Sequence, residues 1–246
     1  MSGISKFDLI SGADIEYKGI CILHPPHLED IRKVGFAEYN SYIGLLTTDL
    51  NKYLSVSDIS TDAVKDIPDL RIFDIWISTP SMREHLKNVL SFFISGKIKF
   101  VPSYNAFKVM CGETMGIINR NNYLDIVSGI LELNCVNYEK EKQDELVFQD
   151  EESRKLYEQI QKAKKTGELK SEDKNFSLPN LISSVASFGN GYNLVNIWGL
   201  TVYQLYDQFY RLSSKFQLDI IGTRWAAYGK EDFDFDVWHK DITLLK

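Results

Sequence analysis

Few side chains in this sequence have the types and spacing needed to act on a reacting atom. His24 and His27 flank two prolines in His24-Pro25-Pro26-His27, and histidines at short spacing invite a metal reading. The prolines keep the two rings off one helical face, and no further histidine or cysteine stands nearby to complete a shell, so the pair reads as structural. His85 and His239 are isolated, without the positioned partner that proton transfer requires. Cys111-Gly112-Glu113 could expose a thiol on a turn, but no cysteine-hydrolase signature surrounds it, and a free cysteine packs well as a small apolar side chain. Gly189-Asn190-Gly191 resembles the start of a dinucleotide fingerprint. It follows a helical segment where a phosphate site needs a strand, and it therefore reads as a helix end. Asp232-Phe233-Asp234-Phe235-Asp236 would place three carboxylates on one face of an extended segment, where they could attract a hard cation. With no EF-hand glycine or closing glutamate, it reads as an edge strand or capped turn with Phe233, Phe235 and Val237 inward. The expectation is a non-enzyme with no catalytic, cofactor-binding or metal-ligating residue.

Composition bounds the class. The 246 residues are 44% hydrophobic and 25% charged, ordinary globular usage that argues against global disorder and against a fibrous architecture. With 28 basic against 34 acidic side chains the net charge is −6, which offers no footprint for a phosphate backbone, so nucleic acid is not an expected partner. Cys21, Cys111 and Cys135 are odd in number and far apart, which suggests neither a disulfide framework nor a zinc cluster and fits a reducing cytoplasm. No segment reads as a leader or a membrane span, so a soluble chain with no membrane partner is expected.

The elements that must position these residues follow from local patterning. Asp14 to Leu23 alternates around Lys18-Gly19 and predicts a small hairpin, stopped by Pro25 and Pro26. A helix is expected from Leu28, with Ile31, Val34, Tyr39, Tyr42 and Ile43 on its apolar face, fading at Thr47 and Thr48. Leu70 to Ile77 predicts a second helix, with a strand as the alternative. Thr79-Pro80 supplies a cap and a first-turn proline for a helix that buries Met82, Leu86, Val89, Leu90 and Phe93, with Gly96 as its stop. Strands are expected at Lys97–Val101 and Ala106–Met110. A helix capped by Asn121 or Asn122 should run to about Leu133, presenting Leu124, Ile126, Val127, Ile130 and Leu131.

From Glu139 to Lys174 the chain is dense in charges of both signs and predicts a solvated helical connector. Residues 1–138 then form an N-terminal α+β domain, 139–176 the connector, and 177–246 a C-terminal helical module. In that module Leu178, Leu181, Ile182 and Val185 line one helix. A longer one is announced by the capping box Thr201…Gln204 and continues through Ile220 and Ile221 to Tyr228, with Gly229 as terminator unless Gly222 interrupts it. Leu205, Phe209, Leu212 and Phe216 make its apolar stripe, and Tyr203, Tyr206 and Tyr210 lie beside it. The fold class expected is α+β, predominantly helical, with short antiparallel strands in the N-terminal part and a helical C-terminal region. Aromatic side chains on a helix too long for one neighbour to cover suit a protein interface. Trp198, Tyr203, Tyr206, Tyr210 and Arg211 are therefore the candidate partner-binding residues, with core packing as the competing reading.

Leu178 to Ser184, then Leu200-Thr201-x-Tyr203-Gln204-Leu205-Tyr206-Asp207-x-Phe209-x-Arg211-Leu212, then Trp238, together with Pro26-x-Leu28-x-x-Ile31-x-x-x-Gly35-x-x-x-Tyr39, resemble tail-module proteins of Gram-positive bacteriophages. Some of those look like tail assembly chaperones. The resemblance implies a non-enzymatic protein that binds tape-measure or tail-tube protein in the host cytoplasm and keeps its apolar segments apart during tail assembly. It leaves homo-oligomerisation open. A structural tail or baseplate subunit of the virion is the alternative it implies, and a small hydrolase or metal-dependent enzyme built on Cys111, His85 or Asp232 to Asp236 is the lesser one.

Overall fold

The computed structural model describes residues 4–56, 69–136, 177–188 and 191–229. The expected connector at 139–176, the Asp232 to Asp236 triplet, Trp238 and His239 lie outside the described residues. The chain divides into two compact units. The first comprises residues 1–136 joined by 198–204, and the second comprises 137–197 and 205–246. A boundary drawn at residue 177 does not anticipate the return of 198–204 to the first unit.

In the first unit, α1 (Lys6–Ser11) leads into a hairpin of β1 (Ile15–Tyr17) and β2 (Cys21–Leu23), paired antiparallel with Ile15 opposite Leu23. Lys18 and Gly19 both take positive φ, at 51° and 66°, the turn geometry that matches strand twist in a tight hairpin. β2 then extends its pairing to a segment far along the chain. His24 N donates to Phe93 O at 2.8 Å and Ser95 N to Ile22 O at 2.9 Å.

The helix expected from Leu28 to Thr47 is two helices, α2 (Leu28–Val34) and α3 (Phe36–Leu46). Gly35 separates them at φ 98°, a conformation that a side chain would oppose. α4 (Leu50–Val56), absent from the sequence reading, starts where Asp49 Oδ1 accepts from Lys52 N at 2.7 Å. α5 (Ile72–Ser78) settles the choice between helix and strand. α6 (Pro80–Phe93) begins as expected, Thr79 Oγ1 accepting from Met82 N at 3.3 Å, and it ends at Phe93, three residues before Gly96.

β3 (Lys97–Val101) and β4 (Ala106–Cys111) pair as predicted, and a third strand, β5 (Thr114–Ile118), extends them in the order β3-β4-β5. Gly112-Glu113 is thus the tight turn of a hairpin. α7 (Tyr123–Leu133) follows and buries Tyr123, Ile126, Val127, Ile130, Leu131 and Leu133. Leu124, expected on that face, is exposed, because its position turns away from the stripe on which Tyr123 and Ile126 sit.

The core of this unit gathers Leu86, Val89, Leu90 and Phe93 of α6, Phe73 of α5, Phe107 and Ile118 of the sheet, and the α7 stripe, all buried. Two glycines set how closely the hairpin approaches. A Cβ on Gly129 would lie 2.9 Å from the Tyr17 ring and 3.0 Å from Leu23 Cδ1, while one on Gly116 would overlap the Ile20 carbonyl. The hairpin therefore rests on α7 and β5 at positions where only a hydrogen fits.

One buried polar pair ties α3 to α7. Tyr39 Oη donates to Asn134 Oδ1 at 2.9 Å, and Asn134 Nδ2 donates to Ile130 O at 2.7 Å. Asn134→Leu removes the acceptor while the hydroxyl stays buried, so a loss of about 1–3 kcal/mol is expected. Adding Tyr39→Phe should recover part of it, giving a positive coupling in a double-mutant cycle of urea unfolding.

In the second unit the described residues form α8 (Leu178–Phe188) and most of α9 (Val202–Tyr228), whose first turn belongs to the first unit. Gly222 does not interrupt α9. Gly229, at φ 59°, closes it by donating to Trp225 O at 2.8 Å. The observed class is the expected α+β fold, with, among the described residues, short antiparallel strands in the N-terminal half and helices in the C-terminal region. Among the described residues no helix is long and apolar enough to cross a membrane.

Candidate functional site

The capping box at the start of α9 is built as its sequence implies. Thr201 N donates to Gln204 Oε1 at 2.9 Å, and Gln204 N donates to Thr201 Oγ1 at 3.2 Å. The same glutamine does a second job that its spacing does not reveal: Nε2 donates to Ile10 O, at the end of α1, at 2.9 Å. Beside it Thr201 bridges His27, and Leu28 N donates to Leu200 O at 2.9 Å. Residues 198–204 are therefore a structural return segment of the first unit.

That placement corrects one candidate. Tyr203 is only 4% exposed, so it is a core side chain and cannot offer a surface to a partner. Its neighbours Leu200, Thr201 and Val202 are buried with it, as a first helical turn held by backbone pairing on one side and a side-chain clamp on the other would require. Trp198 is half-buried in the same segment.

The remaining candidates lie in the second unit and are half-buried. Tyr206 and Tyr210, one helical turn apart, stack with ring centroids 6.5 Å apart, and Phe209 meets Tyr210 edge-on at 5.8 Å. Arg211 is engaged within its own helix, Nε standing 3.1 Å from Asp207 Oδ2. Since Asp207 is buried, the arginine answers a carboxylate removed from water and is less available to an outside acid.

The apolar stripe of α9 emerges from cover along its length. Leu205 is buried, Phe209 and Leu212 are half-buried, and Phe216 is exposed. Phe188, Phe209, Leu212 and Phe216, with Ser184, Ser213, Lys215 and Asp219, line a groove of about 400 Å³ between α8 and α9. Phe216 in its wall is 67% exposed, and beyond it Trp225 and Tyr228 are 42% and 74% exposed, with Ile220 and Ile221 exposed as well. Sequence reasoning placed the binding surface on the tyrosines of the first two turns. The exposed surface lies two to five turns further on, where the same i, i+4 pattern continues through Phe216 and Ile220.

Four other features of the first unit bear on chemistry. A polar recess of about 350 Å³ is lined by Asp74, Tyr104, Asn105, Asn119, Arg120 and Asn121. Its arginine pairs with Asp74 at 3.1 Å and donates to the Asp69 carbonyl, so the charge is spent on holding the start of α5. Cys111 is half-buried at a strand end, and His85 sits edge-on to Tyr42 with centroids 6.2 Å apart. Neither lines the polar recess or the groove between α8 and α9.

Cys21 is buried, and burial pushes its thiol up to about 12. The thiolate is the reactive form, so iodoacetamide at pH 8 should leave Cys21 unmodified in the native chain and label it only on unfolding, as peptide mass spectrometry would read. The native state keeps a proton that the unfolded chain releases above about pH 8.5. The contribution of Cys21 to stability is thus full below that pH and is lost as pH rises toward the native value.

The fourth feature is the histidine pair. Although Pro25 and Pro26 do keep His24 and His27 off a common helix face, their rings approach to 5.9 Å between centroids. Asp30 lies between them, its Oδ2 3.7 Å from His24 Nε2 and 3.5 Å from His27 Nδ1. On the far side of His24, Nδ1 stands 2.7 Å from Asp14 Oδ1. Burial alone would raise the Asp14 carboxyl, but hydrogen bonds from Ser95 and His24 outweigh it and hold the group below its ordinary value. The partners missing from the sequence reading are two aspartates, one three residues onward and one ten residues back.

Comparison with known proteins gives two matches and one absence. Residues 168–243 match the family described as the YomV second domain, a stretch that contains α8 and α9. Over 134 residues, 54% of this chain, the sequence is 28% identical to the SPbeta prophage-derived uncharacterized protein YomV of Bacillus subtilis (strain 168). The chain spans about half the length of that relative, 50% of it being covered. No solved structure matches. What this chain is similar to is therefore a prophage-derived protein, and the family model that matches covers the helices bearing the exposed apolar groove.

Proposed function

We propose that this is a phage-derived, non-enzymatic assembly protein, akin to a tail assembly chaperone, whose C-terminal helical unit receives an apolar segment of tape-measure or tail-tube protein in the host cytoplasm. The observation that carries the proposal is the second half of α9, where Phe216, Ile220, Ile221, Trp225 and Tyr228 are all exposed. Large apolar side chains clustered on one exposed element mark an interaction surface far more often than scattered ones do. The adjoining groove between α8 and α9 has the form that takes an amphipathic helix, with Phe209, Leu212 and Phe216 at one-turn spacing along one wall. The prophage origin of the relative supports the phage context.

The test is coexpression with a tape-measure or tail-tube protein of the same phage. The proposal expects that partner to become more soluble and to copurify, and it expects this chain to be absent from purified virions. Stoichiometric presence in virions would instead support a structural tail or baseplate subunit.

A further inference from the structure

We propose that His24, His27 and Asp30 form a binding site for one divalent first-row transition ion, zinc in the first instance, in a shell that Asp14 orients from outside. Among the described residues these three offer ligand atoms that lie within 4.8 Å of one another. Tetrahedral zinc with histidine and carboxylate ligands at about 2.0–2.2 Å places its donors roughly 3.4 Å apart. The two separations to Asp30 Oδ2, 3.7 and 3.5 Å, are already close to that spacing. Only the gap between the imidazoles must narrow.

The second observation concerns the tautomer. Asp14 Oδ1, 2.7 Å from His24 Nδ1, is a carboxylate oxygen that can only accept, so it selects the tautomer with the proton on Nδ1 and leaves Nε2, 3.7 Å from Asp30 Oδ2, with a lone pair for an ion. A carboxylate on the outer nitrogen of a ligating histidine is the arrangement that fixes ring orientation and raises ligand basicity in metal sites. Asp14 is itself held, accepting from Ser95 Oγ at 2.6 Å.

The frame around the ligands is rigid. His24 N pairs with Phe93 O, Leu28 N pairs with Leu200 O, and His27 N donates to Asp30 Oδ2 at 3.2 Å. Pro25 and Pro26 fix φ between the two histidines, so the feature that removes them from one helix face also presets their spacing. Asp30 Oδ2 keeps a lone pair for the ion, and Lys33 Nζ, 3.6 Å away, sits against the other oxygen, Oδ1. The histidines and Asp30 are each about one-third exposed, at 32%, 37% and 33% of the side chain. An ion can therefore enter from solvent and keep a water as its fourth ligand. Its mechanical effect would be to pin the end of β2 to α2 at the place where the return segment 198–204 is stitched in.

The experiment is a titration of zinc sulfate into the tag-free, chelator-treated full chain, read by calorimetry and by the ring resonances of the histidines. One ion per chain at low-micromolar affinity or tighter, with the His24 and His27 resonances moving first, is the expected result. Asp14→Asn should weaken binding about 10- to 100-fold, and His24→Ala or His27→Gln should weaken it by more, while His85→Asn leaves it unchanged. Metal-free melting curves establish that each variant is folded, and the resonance shifts in the native chain decide the matter if one is not. The absence of saturable binding, or binding that survives both histidine substitutions or moves only other groups, would overturn the proposal.

Discussion

Gly116→Val is expected to abolish cooperative folding of the first unit or to leave it the least stable of all single variants. A Cβ at this position would overlap the carbonyl group of Ile20 and lie 2.8 Å from its Cα. The obstacle is backbone, which cannot rotate aside as a side-chain tip can. Ile20 is fixed by its own turn, its N donating to Tyr17 O at 3.0 Å, so relief requires lifting the hairpin from β5. That movement uncovers Tyr17, Cys21 and Leu23, all buried. Overpacking typically costs about 1–3 kcal/mol, and here the upper end or beyond is expected, against a net stability of about 5–15 kcal/mol for an ordinary domain. Gly44→Ala is the control. Gly44 lies within α3 with nothing near its absent Cβ, and alanine there should stabilise by about 0.5–1 kcal/mol. Urea midpoints of the two variants should move in opposite directions. A Gly116→Val chain that melts with the native protein would mean that the hairpin is not seated on β5.

The second large effect concerns recognition. Phe216→Glu combined with Ile220→Glu is expected to lower affinity for the proposed tail partner at least about 100-fold, or about 2.7 kcal/mol, with an unchanged midpoint for the first unit. Both side chains are exposed in the absence of a partner, so charging them removes little packing in the free protein. A bound apolar segment would have to bury two carboxylates without partners, which carries a cost of several kcal/mol. Tyr203→Ala makes the contrasting case: it should destabilise the fold, because that ring is core, and affect binding only through the fold.

The sequence made local chemistry legible wherever a single turn of chain carried the signal. Thr79-Pro80, Lys18-Gly19 and Thr201…Gln204 each specify an element boundary through groups within four residues, and each is built as expected. Signals that depend on distant chain were not legible. β5 is interrupted by Gly116, which weakens a strand reading, and the reason for that glycine is a hairpin nearly a hundred residues earlier. Gly35 was legible as a break only in retrospect, because the apolar stripe continues in register on both sides of it. His24 and His27 lack a nearby histidine or cysteine in sequence, and the groups the fold sets beside them are aspartates, Asp30 and, across the hairpin, Asp14. The tyrosines of α9 predict an interface on its first turns, but the return segment takes Tyr203 into the core, and the large exposed apolar side chains of this helix begin at Phe216.

The central claim is that the second half of α9 captures an apolar segment of a tail protein. Its most direct test is the soluble yield of the tape-measure protein expressed with the native chain and with the Phe216→Glu, Ile220→Glu variant, followed by size-exclusion chromatography. The account expects a soluble complex with the native chain and its loss with the folded variant. Equal rescue by both, or rescue by neither, would contradict it.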